Sequence, residues 1–261
     1  MFEPPLDLKG ARILIANDDG IRARGLKVLE QIARAFTKDV WVFAPEVEQS
    51  GAGHSLSLHR PVRARRISGK RYAIEGSPTD CVMLAVTEFM EDRPPDLVLS
   101  GINRGANLGQ EITYSGTVAA ALEATLLGIP AIALSLKVRP DEPERWRTAS
   151  RHAPRIIRKL LRQRWPRDVF MNVNFPNVMP EAITGTTIVG QGRREAGYRL
   201  HKIPDPRARG YYVIGSPKQG KYLGRGDSDY RATDRGEITI TPLHCDMTHQ
   251  GALRALRKAL K

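Results

Sequence analysis

The chain has 261 residues, of which 41% are hydrophobic and 26% are charged. This composition is typical of a folded globular protein and argues against general disorder. No apolar run reaches the roughly 18–20 residues that a membrane-spanning helix needs, so we expect no membrane association. The first residues carry acids and prolines where a secretory signal carries basic and then apolar residues, so the expected location is the cytoplasm.

The charge is unevenly distributed along the chain. The net charge is +13, and residues 1–150 contain 19 basic and 19 acidic side chains, whereas residues 151–261 contain 22 and 9. A positive field in the second part would attract anions such as phosphorylated metabolites, polyphosphate or nucleic acid. A basic surface that serves only solubility is the simpler interpretation.

Short apolar strands alternate with helices up to about residue 180. Strands are predicted at 11–16, 39–45, 96–101, 131–136 and 168–175. Helices are predicted at 26–36, from the Ser77 cap to about Met90, from the Ser115 cap to Gly128 and at 146–165, with a polar hairpin at 61–75. Near-continuous apolar strands separated by helices predict an α/β fold with a mostly parallel sheet covered on both faces.

The pattern changes after about residue 180, where Gly, Pro, Arg and Tyr become frequent. Strands are predicted at 186–190, 211–214 and 237–242, and a short basic helix at 248–260. The stretch 191–235 lacks the apolar residues for a core of its own. We therefore expect an extended hairpin arm that packs on another subunit.

The first candidate site follows the first strand, at Asn17-Asp18-Asp19-Gly20. In open parallel sheets, ligands bind beyond the carboxyl ends of the strands. Two adjacent carboxylates repel each other unless a cation or a proton lies between them. Their hard oxygen atoms suit Mg²⁺ or Mn²⁺. The alternative is an Asx-rich turn that caps the next helix.

The second candidate loop, residues 45–55, follows the second strand and opens at the same edge of the sheet. Ser50 offers a neutral oxygen to a metal, and Gly51 allows the backbone to approach a ligand closely. His54 is either an acid or base or a brace for the loop, and the sequence leaves both roles open.

The third candidate loop has the sequence SGINRGANLG at 100–109 and follows the third strand. Its glycines make it tight, and Asn103 offers a carbonyl oxygen. The chain then reaches Ser115-Gly116-Thr117, where free N–H groups and the dipole of the next helix form an anion site. A plain helix cap is the alternative for this last piece.

Three polar loops that follow three successive core strands are expected to converge on one edge of the sheet. Two carboxylates, a serine and an asparagine form a cation site there, and a helix N-terminus beside it forms a phosphate site. Together these features predict metal-assisted hydrolysis of a phosphomonoester.

The same residues resemble the SurE family of stationary-phase survival proteins, which are 5′/3′-nucleotidases. The motifs that carry the resemblance span about residues 11–245 in order: NDDG at 17–20, SGAGHS at 50–55, GSPTDCV at 76–82, SGINRGANLG at 100–109, YSGTVAAALEA at 114–124, MNVNFP at 171–176 and ITITPL at 238–243. The long third-strand motif is highly specific.

The resemblance implies a Rossmann-like, three-layer α/β catalytic core, which we place at 1–180. It also implies an extended C-terminal hairpin and oligomerisation region with a terminal helix, placed at 181–261, in a homodimer or homotetramer. The implied activity is hydrolysis of nucleoside 5′- and 3′-monophosphates with one divalent ion, Mg²⁺ or Mn²⁺, per subunit, and some relatives also trim short polyphosphate. By motif, the metal ligands are Asp18, Asp19, Ser50 and Asn103, with Asp18 and Asp19 catalytic. The phosphate or substrate contacts are Asn17, Gly51, Ser115, Gly116 and Thr117.

Two other functions remain open at this stage. One is a polyanion or nucleic-acid binding protein that uses the basic C-terminal region, although no recognised nucleic-acid motif occurs there. The other is a phosphatase that uses the same site on sugar phosphates or polyphosphate. Base preference, 5′ against 3′ preference, the metal, and dimer against tetramer are also open.

Overall fold

The structure is a computed structural model that describes residues 1–4, 6–138, 141–195, 197–204, 207, 210–217 and 220–260. Its strands are β1 Ile13–Ala16, β2 Val40–Pro45, β3 Ala64–Ser68, β4 Arg71–Ile74, β5 Leu97–Arg104, β6 Ala131–Lys137, β7 Val169–Pro176, β8 Gly185–Ile188, β9 Arg193–Arg194, β10 Tyr198–Ile203, β11 Tyr211–Pro217, β12 Tyr222–Leu223 and β13 Glu237–His244. Its α-helices are α1 Arg24–Arg34, α2 Pro78–Leu84, α3 Gly116–Leu126, α4 Trp146–Leu160, α5 Asp229–Asp234 and α6 Gln250–Ala259.

The main sheet has nine strands in the order β3-β4-β2-β1-β5-β6-β7-β13-β8. From β4 to β7 every neighbouring pair is parallel, whereas β3 runs antiparallel to β4 and β13 antiparallel to β7. The central strand β1 lies between β2 and β5, with Ile15 opposite Leu99. The predicted α/β fold with a mostly parallel sheet is therefore confirmed.

The core has two layers because side chains on the central strands point to opposite faces in turn. Ile13 and Ile15 of β1 pack in the cluster that α1 and α4 cover. Leu14 and Ala16 pack in the cluster that α2 and α3 cover. Helices on both faces of one sheet give the expected three-layer, Rossmann-like architecture.

Helix α4 ends earlier than the sequence suggests and passes through a proline. It runs from Trp146 to Leu160 with Pro154 inside it, whereas the prediction extended to residue 165. Its apolar stripe, which includes Ala153 and Ile157, is buried against the core. Burial of that stripe offsets the hydrogen bond that the proline removes.

The C-terminal region contributes to the main sheet as well as projecting from it. Strands β8 and β13 belong to the nine-stranded sheet, so the expected boundary at residue 180 falls between two strands of one sheet. The predicted hairpin is present as the antiparallel pair β10–β11, and α6 buries no residue. Within the arm, residues 196, 205, 206, 208, 209, 218 and 219 lie outside the described residues. No helix of the described chain is both long and apolar enough to span a membrane.

Candidate active site

The three candidate loops meet at the carboxyl edge of the sheet. Because β1 lies between β2 and β5, the turn after β1 touches the loops after both neighbours. The backbone N–H of Gln49 donates to the carbonyl oxygen of Asp18 at 2.8 Å. On the other side, the backbone N–H of Arg104 donates to Oδ2 of Asp19 at 2.9 Å. Gln49 is next to Ser50 in the sequence, and Arg104 is next to Asn103, so each donor adjoins a predicted metal ligand.

Asp18 is buried against the first turn of α3. The hydroxyl of Thr117 donates to its Oδ1 at 2.5 Å. Gly116 lies directly above the carboxylate, since a Cβ built there would be 2.7 Å from Cβ of Asp18 and 3.1 Å from its Oδ2. Burial raises the pKa of Asp18 above its ordinary value, while the hydrogen bond from Thr117 opposes that rise. Only glycine at position 116 lets the helix N-terminus approach this closely.

Asp19 is a second carboxylate that the fold makes hard to ionise. Burial, followed by the adjacent charge of Asp18, raises the pKa of Asp19 from 3.8 to about 7, while the N–H of Arg104 opposes the shift. Asp19 lines a cavity of about 280 Å³ together with the acids Glu48 and Glu144 and the cations Arg24 and Arg104. A divalent cation bound between Asp18 and Asp19 would favour the ionised form of both carboxylates.

Ser50 and Asn103 offer neutral oxygen atoms beside the two aspartates. Ser50 is exposed, and its hydroxyl donates to Oε1 of Glu48 at 2.7 Å. The side-chain N–H of Asn103 donates to the carbonyl oxygen of Gly105 at 3.0 Å, which leaves its Oδ1 outside that bond. Oxygen atoms of carboxylates, a hydroxyl and an amide suit Mg²⁺ or Mn²⁺ better than a softer metal.

Two features of the site suit a metal ion: the side-chain oxygens just described and one buried acceptor on Asn17. Asn17 donates to the carbonyl oxygen of Gly20 at 3.1 Å, and its Oδ1 is buried without a hydrogen-bond partner among the described residues. Over the same residues, no group of three or more His, Cys, Asp or Glu side chains is placed to hold a metal ion. The residues present therefore fit a hard cation held by two carboxylates and neutral oxygens.

The predicted phosphate turn forms the start of α3. The hydroxyl oxygen of Ser115 accepts a hydrogen bond from the N–H of Val118 at 3.0 Å, which confirms the predicted cap. The hydroxyl of Thr117 donates to Asp18, the N–H of Ser115 donates to the carbonyl oxygen of Ile112, and the N–H groups of Gly116 and Thr117 are directed at the Asp18 carboxylate. The free N–H groups expected from the sequence are therefore already used, and the first turn offers an anion the positive end of the α3 dipole. Gly51 has a φ of +80° and no neighbour within 4 Å of a built Cβ, which leaves its backbone open to a ligand.

Sequence reasoning missed the residues that hold the third loop in place. Asp229 at the start of α5 accepts the N–H of Gly109 at 2.7 Å, and the hydroxyl of Tyr230 donates to the carbonyl oxygen of Leu108 at 2.9 Å. A Cβ at Gly109 would lie 2.1 Å from the Tyr230 ring. Ser228 before Asp229 is a readable helix cap, but no local pattern connects that helix to a loop 120 residues away.

An open, mostly parallel sheet with paired carboxylates and a helix N-terminus at its carboxyl edge defines the class of α/β proteins that bind their ligand at that edge. A family model described as "Survival protein SurE" matches residues 13–198, and the chain belongs to this family.

Full-length relatives support the assignment. The protein called 5′-nucleotidase SurE in Paramagnetospirillum magneticum is 51% identical over 258 residues, which covers 99% of each chain. The protein of the same name in Rhodospirillum rubrum is 49% identical, covering 99% of this chain and 100% of its own. The crystal structure of the SurE protein from Aquifex aeolicus has a TM-score of 0.82 and 36% identity, and the match covers 95% of this chain and 99% of that one.

Proposed function

We propose that the protein is a divalent-metal-dependent phosphomonoesterase that removes phosphate from nucleoside 5′- and 3′-monophosphates. The observation that carries the proposal is the contact between Asp18 and the first turn of α3. A carboxylate that suits a cation thus lies beside the positive end of the α3 dipole, which favours an anion such as phosphate, and this supports hydrolysis of a phosphate ester. The relatives named 5′-nucleotidase SurE support the choice of nucleotides as substrates.

The sequence motifs and the geometry support the following roles. Asp18, Asp19, Ser50 and Asn103 would hold one Mg²⁺ or Mn²⁺ per subunit. When bound, the ion supplies positive charge to the phosphoryl oxygens and lowers the pKa of a water molecule. Ser115, Gly116 and Thr117 would contact the remaining phosphate oxygens at the helix N-terminus, where the α3 dipole favours negative charge. Asn17 and Gly51 would line the same end of the site.

We infer that water, and not a carboxylate, attacks the phosphorus. Both carboxylates are assigned to the metal, and each already accepts a hydrogen bond, Asp18 from Thr117 and Asp19 from Arg104, which makes them weaker nucleophiles. A substrate with a chiral phosphoryl group tests this inference. A single displacement by water inverts the configuration at phosphorus, whereas retention would mean that Asp18 or Asp19 forms an aspartyl-phosphate first.

We also infer a homodimer or homotetramer, located in the cytoplasm, that assembles through the C-terminal region. The β10–β11 hairpin exposes apolar side chains, among them Leu200 at 66% and Ile214 at 72%. Helix α6 exposes Leu256 and buries none of its residues, and Leu260 directly after it is exposed as well. Light scattering coupled to gel filtration tests this inference, and a monomer at micromolar concentration would contradict it.

Binding of a polyanion as the main role has less support. Two arginines of the C-terminal region that would serve it are already paired with acids, Arg194 with Glu111 and Arg235 with Asp227. Paired charges contribute less to a field that attracts nucleic acid. Short-chain polyphosphate as an additional substrate would use the same metal and phosphate site.

The test is phosphate release from a panel of 5′- and 3′-nucleoside monophosphates and short polyphosphate, with Mg²⁺ or Mn²⁺ and with EDTA. Asp18→Asn should lose roughly 10³-fold or more of the rate while the protein stays folded, because a charged metal ligand is removed. Asp92→Asn serves as the matched control, since this exposed carboxylate precedes β5 and lies at the opposite edge of the sheet. Normal turnover by Asp18→Asn would contradict the proposed site, and no release from any nucleotide would contradict the activity.

A further inference from the structure

Helix α3 contains one charged residue among apolar and small ones. Its sequence is GTVAAALEATL, and the charged residue is Glu123, whose side chain is 6% exposed. Removing a carboxylate from water is costly unless a partner compensates for it. An apolar side chain at this position would avoid that cost, so stability alone does not account for Glu123.

The partner of Glu123 is His54, from the loop that follows β2. Nε2 of His54 lies 2.8 Å from Oε2 of Glu123, and the imidazole is one-third exposed. Among the described residues, no other side chain makes a hydrogen bond to this carboxylate. The contact therefore joins the second candidate loop to the interior of the helix whose first turn is the proposed phosphate site.

Residues 49–53 lie between Asp18 and α3 and are held at both ends by backbone hydrogen bonds. Near its start, the N–H of Gln49 donates to the carbonyl oxygen of Asp18 at 2.8 Å. Near its end, the N–H of Gly53 donates to the carbonyl oxygen of Tyr114 at 3.1 Å. Ser50 lies between these bonds and is exposed, so its position depends on how firmly the segment is held.

We propose that the contact between His54 and Glu123 positions the metal site by holding residues 50–53 against α3, so that the Ser50 oxygen stays at a fixed place relative to Asp18. His54 and Glu123 are positioning residues in this proposal and do not touch the substrate. The proposal rests on the proposed function, because it takes Ser50 and Asp18 as metal ligands. Its effect falls on metal affinity, since a misplaced ligand weakens binding of the ion before it affects the chemical step.

The decisive measurement is the Kd for Mn²⁺ alone, obtained by isothermal titration calorimetry without nucleotide. His54→Ala and Glu123→Met should each raise this Kd by about 10-fold or more, because each breaks the contact that holds residues 50–53 in place for the metal. His54→Gln and Glu123→Gln keep a donor and an acceptor at nearly the same places and should restore the Kd to within about threefold of the wild type. Combining His54→Ala with Glu123→Met should be no worse than either change alone, since both break one contact.

A second readout separates positioning from chemistry. At saturating Mn²⁺ and nucleotide, kcat of His54→Ala should return to within about threefold of the wild type. A large loss of kcat that His54→Gln does not restore would overturn the proposal and make His54 an acid or base that touches the substrate. An unchanged Kd for Mn²⁺ in His54→Ala, or additive effects in the double variant, would overturn it equally.

Two controls keep the outcomes distinguishable. His152→Ala removes an imidazole that bonds to the carbonyl oxygen of Pro180 on the opposite face of the sheet, and it should leave the Kd unchanged. Asp18→Asn tests the site itself. If Asp18→Asn binds Mn²⁺ like the wild type, the proposed function fails, whereas loss of binding there together with a normal His54→Ala overturns only the role of His54 and Glu123.

Discussion

The hydroxyl of Thr117 donates to Oδ1 of Asp18 at 2.5 Å, although 99 residues separate the two in sequence. Both side chains are buried, so water does not compete for the bond. The contact joins the turn after the central strand to the first turn of α3. As a result, a movement of the helix would move the proposed phosphate site and the proposed metal ligand together.

Removing the Thr117 hydroxyl should therefore impair the metal site. Thr117→Val keeps the shape of the side chain but leaves Oδ1 of Asp18 without this donor, and we expect about a 10-fold loss of kcat/KM at limiting Mn²⁺. Thr117→Ser keeps the donor and should retain most of the activity. Equal activity of the valine and serine variants, measured by phosphate release, would contradict a role for the hydroxyl.

Adding a methyl group at Gly116 should displace Asp18. The new Cβ would meet Cβ of Asp18 at 2.7 Å and Cγ of Pro78 at 2.8 Å, both closer than real contacts allow. A shift of about 1 Å in a reacting group can cost on the order of 10²-fold in rate, and we expect a loss of that size in Gly116→Ala.

Gly185→Ala provides the comparison for Gly116→Ala, because the nearest atom to its built Cβ is 4.0 Å away. It should have wild-type activity and melting temperature. A fully active Gly116→Ala variant would mean that the helix and Asp18 can separate without consequence.

The pH dependence of stability should differ with and without metal. The pKa of Asp19 is 3.8 in ordinary surroundings and about 7 in the folded protein, mainly because the group is buried. Between these values the folded protein holds a proton that the unfolded chain has released. The stabilisation is therefore complete below 3.8 and is lost as the pH rises through about 7, so the metal-free protein should become less stable across this window.

Binding of Mn²⁺ should oppose this trend, because the ion needs the deprotonated carboxylates. The gain in melting temperature on adding Mn²⁺ should grow from about pH 4 to about pH 7. Scanning calorimetry at several pH values, with Mn²⁺ or with EDTA, measures how the melting temperature depends on pH with and without metal. Asp19→Asn should weaken both pH dependences. A gain in melting temperature that is independent of pH would argue against Asp19 as a ligand.

The hydrogen bond between Asp229 of α5 and Gly109 of the third loop should stabilise the folded protein. Asp229 is fully buried and accepts the N–H groups of Gly109, Gly192 and Tyr230 at 2.7 to 2.8 Å. Asp229→Ala leaves these donors without an acceptor, and we expect a loss of about 3 kcal/mol in the free energy of unfolding.

The neighbouring Asp227 offers a matched comparison, since its carboxylate pairs with Arg235 at the surface. Asp227→Ala should be much closer to the wild type in a denaturant titration. If both variants unfold at the same denaturant concentration, the buried bonds of Asp229 do not stabilise the protein.

Local patterns were enough to predict most elements. The caps at Ser77 and Ser115 were predicted and are confirmed, because each cap depends on a donor only three residues away. The alternation of apolar strands with helices likewise predicted the parallel sheet, since burial on both faces imposes apolar residues along each strand. The order of the loops predicted that Asp18 and Thr117 would share one edge of the sheet.

The sequence did not predict which distant side chains contact each other. A strand at 237–242 was predicted, but its place between β7 and β8, antiparallel to β7, was not. Glu123 against His54 and Asp229 against Gly109 are 69 and 120 residues apart. Periodicity and capping act over a few residues, whereas these contacts form only after the sheet has assembled and excluded water. Local motifs thus identify the candidate site residues, whereas the contacts that hold these residues in place depend on the packed fold.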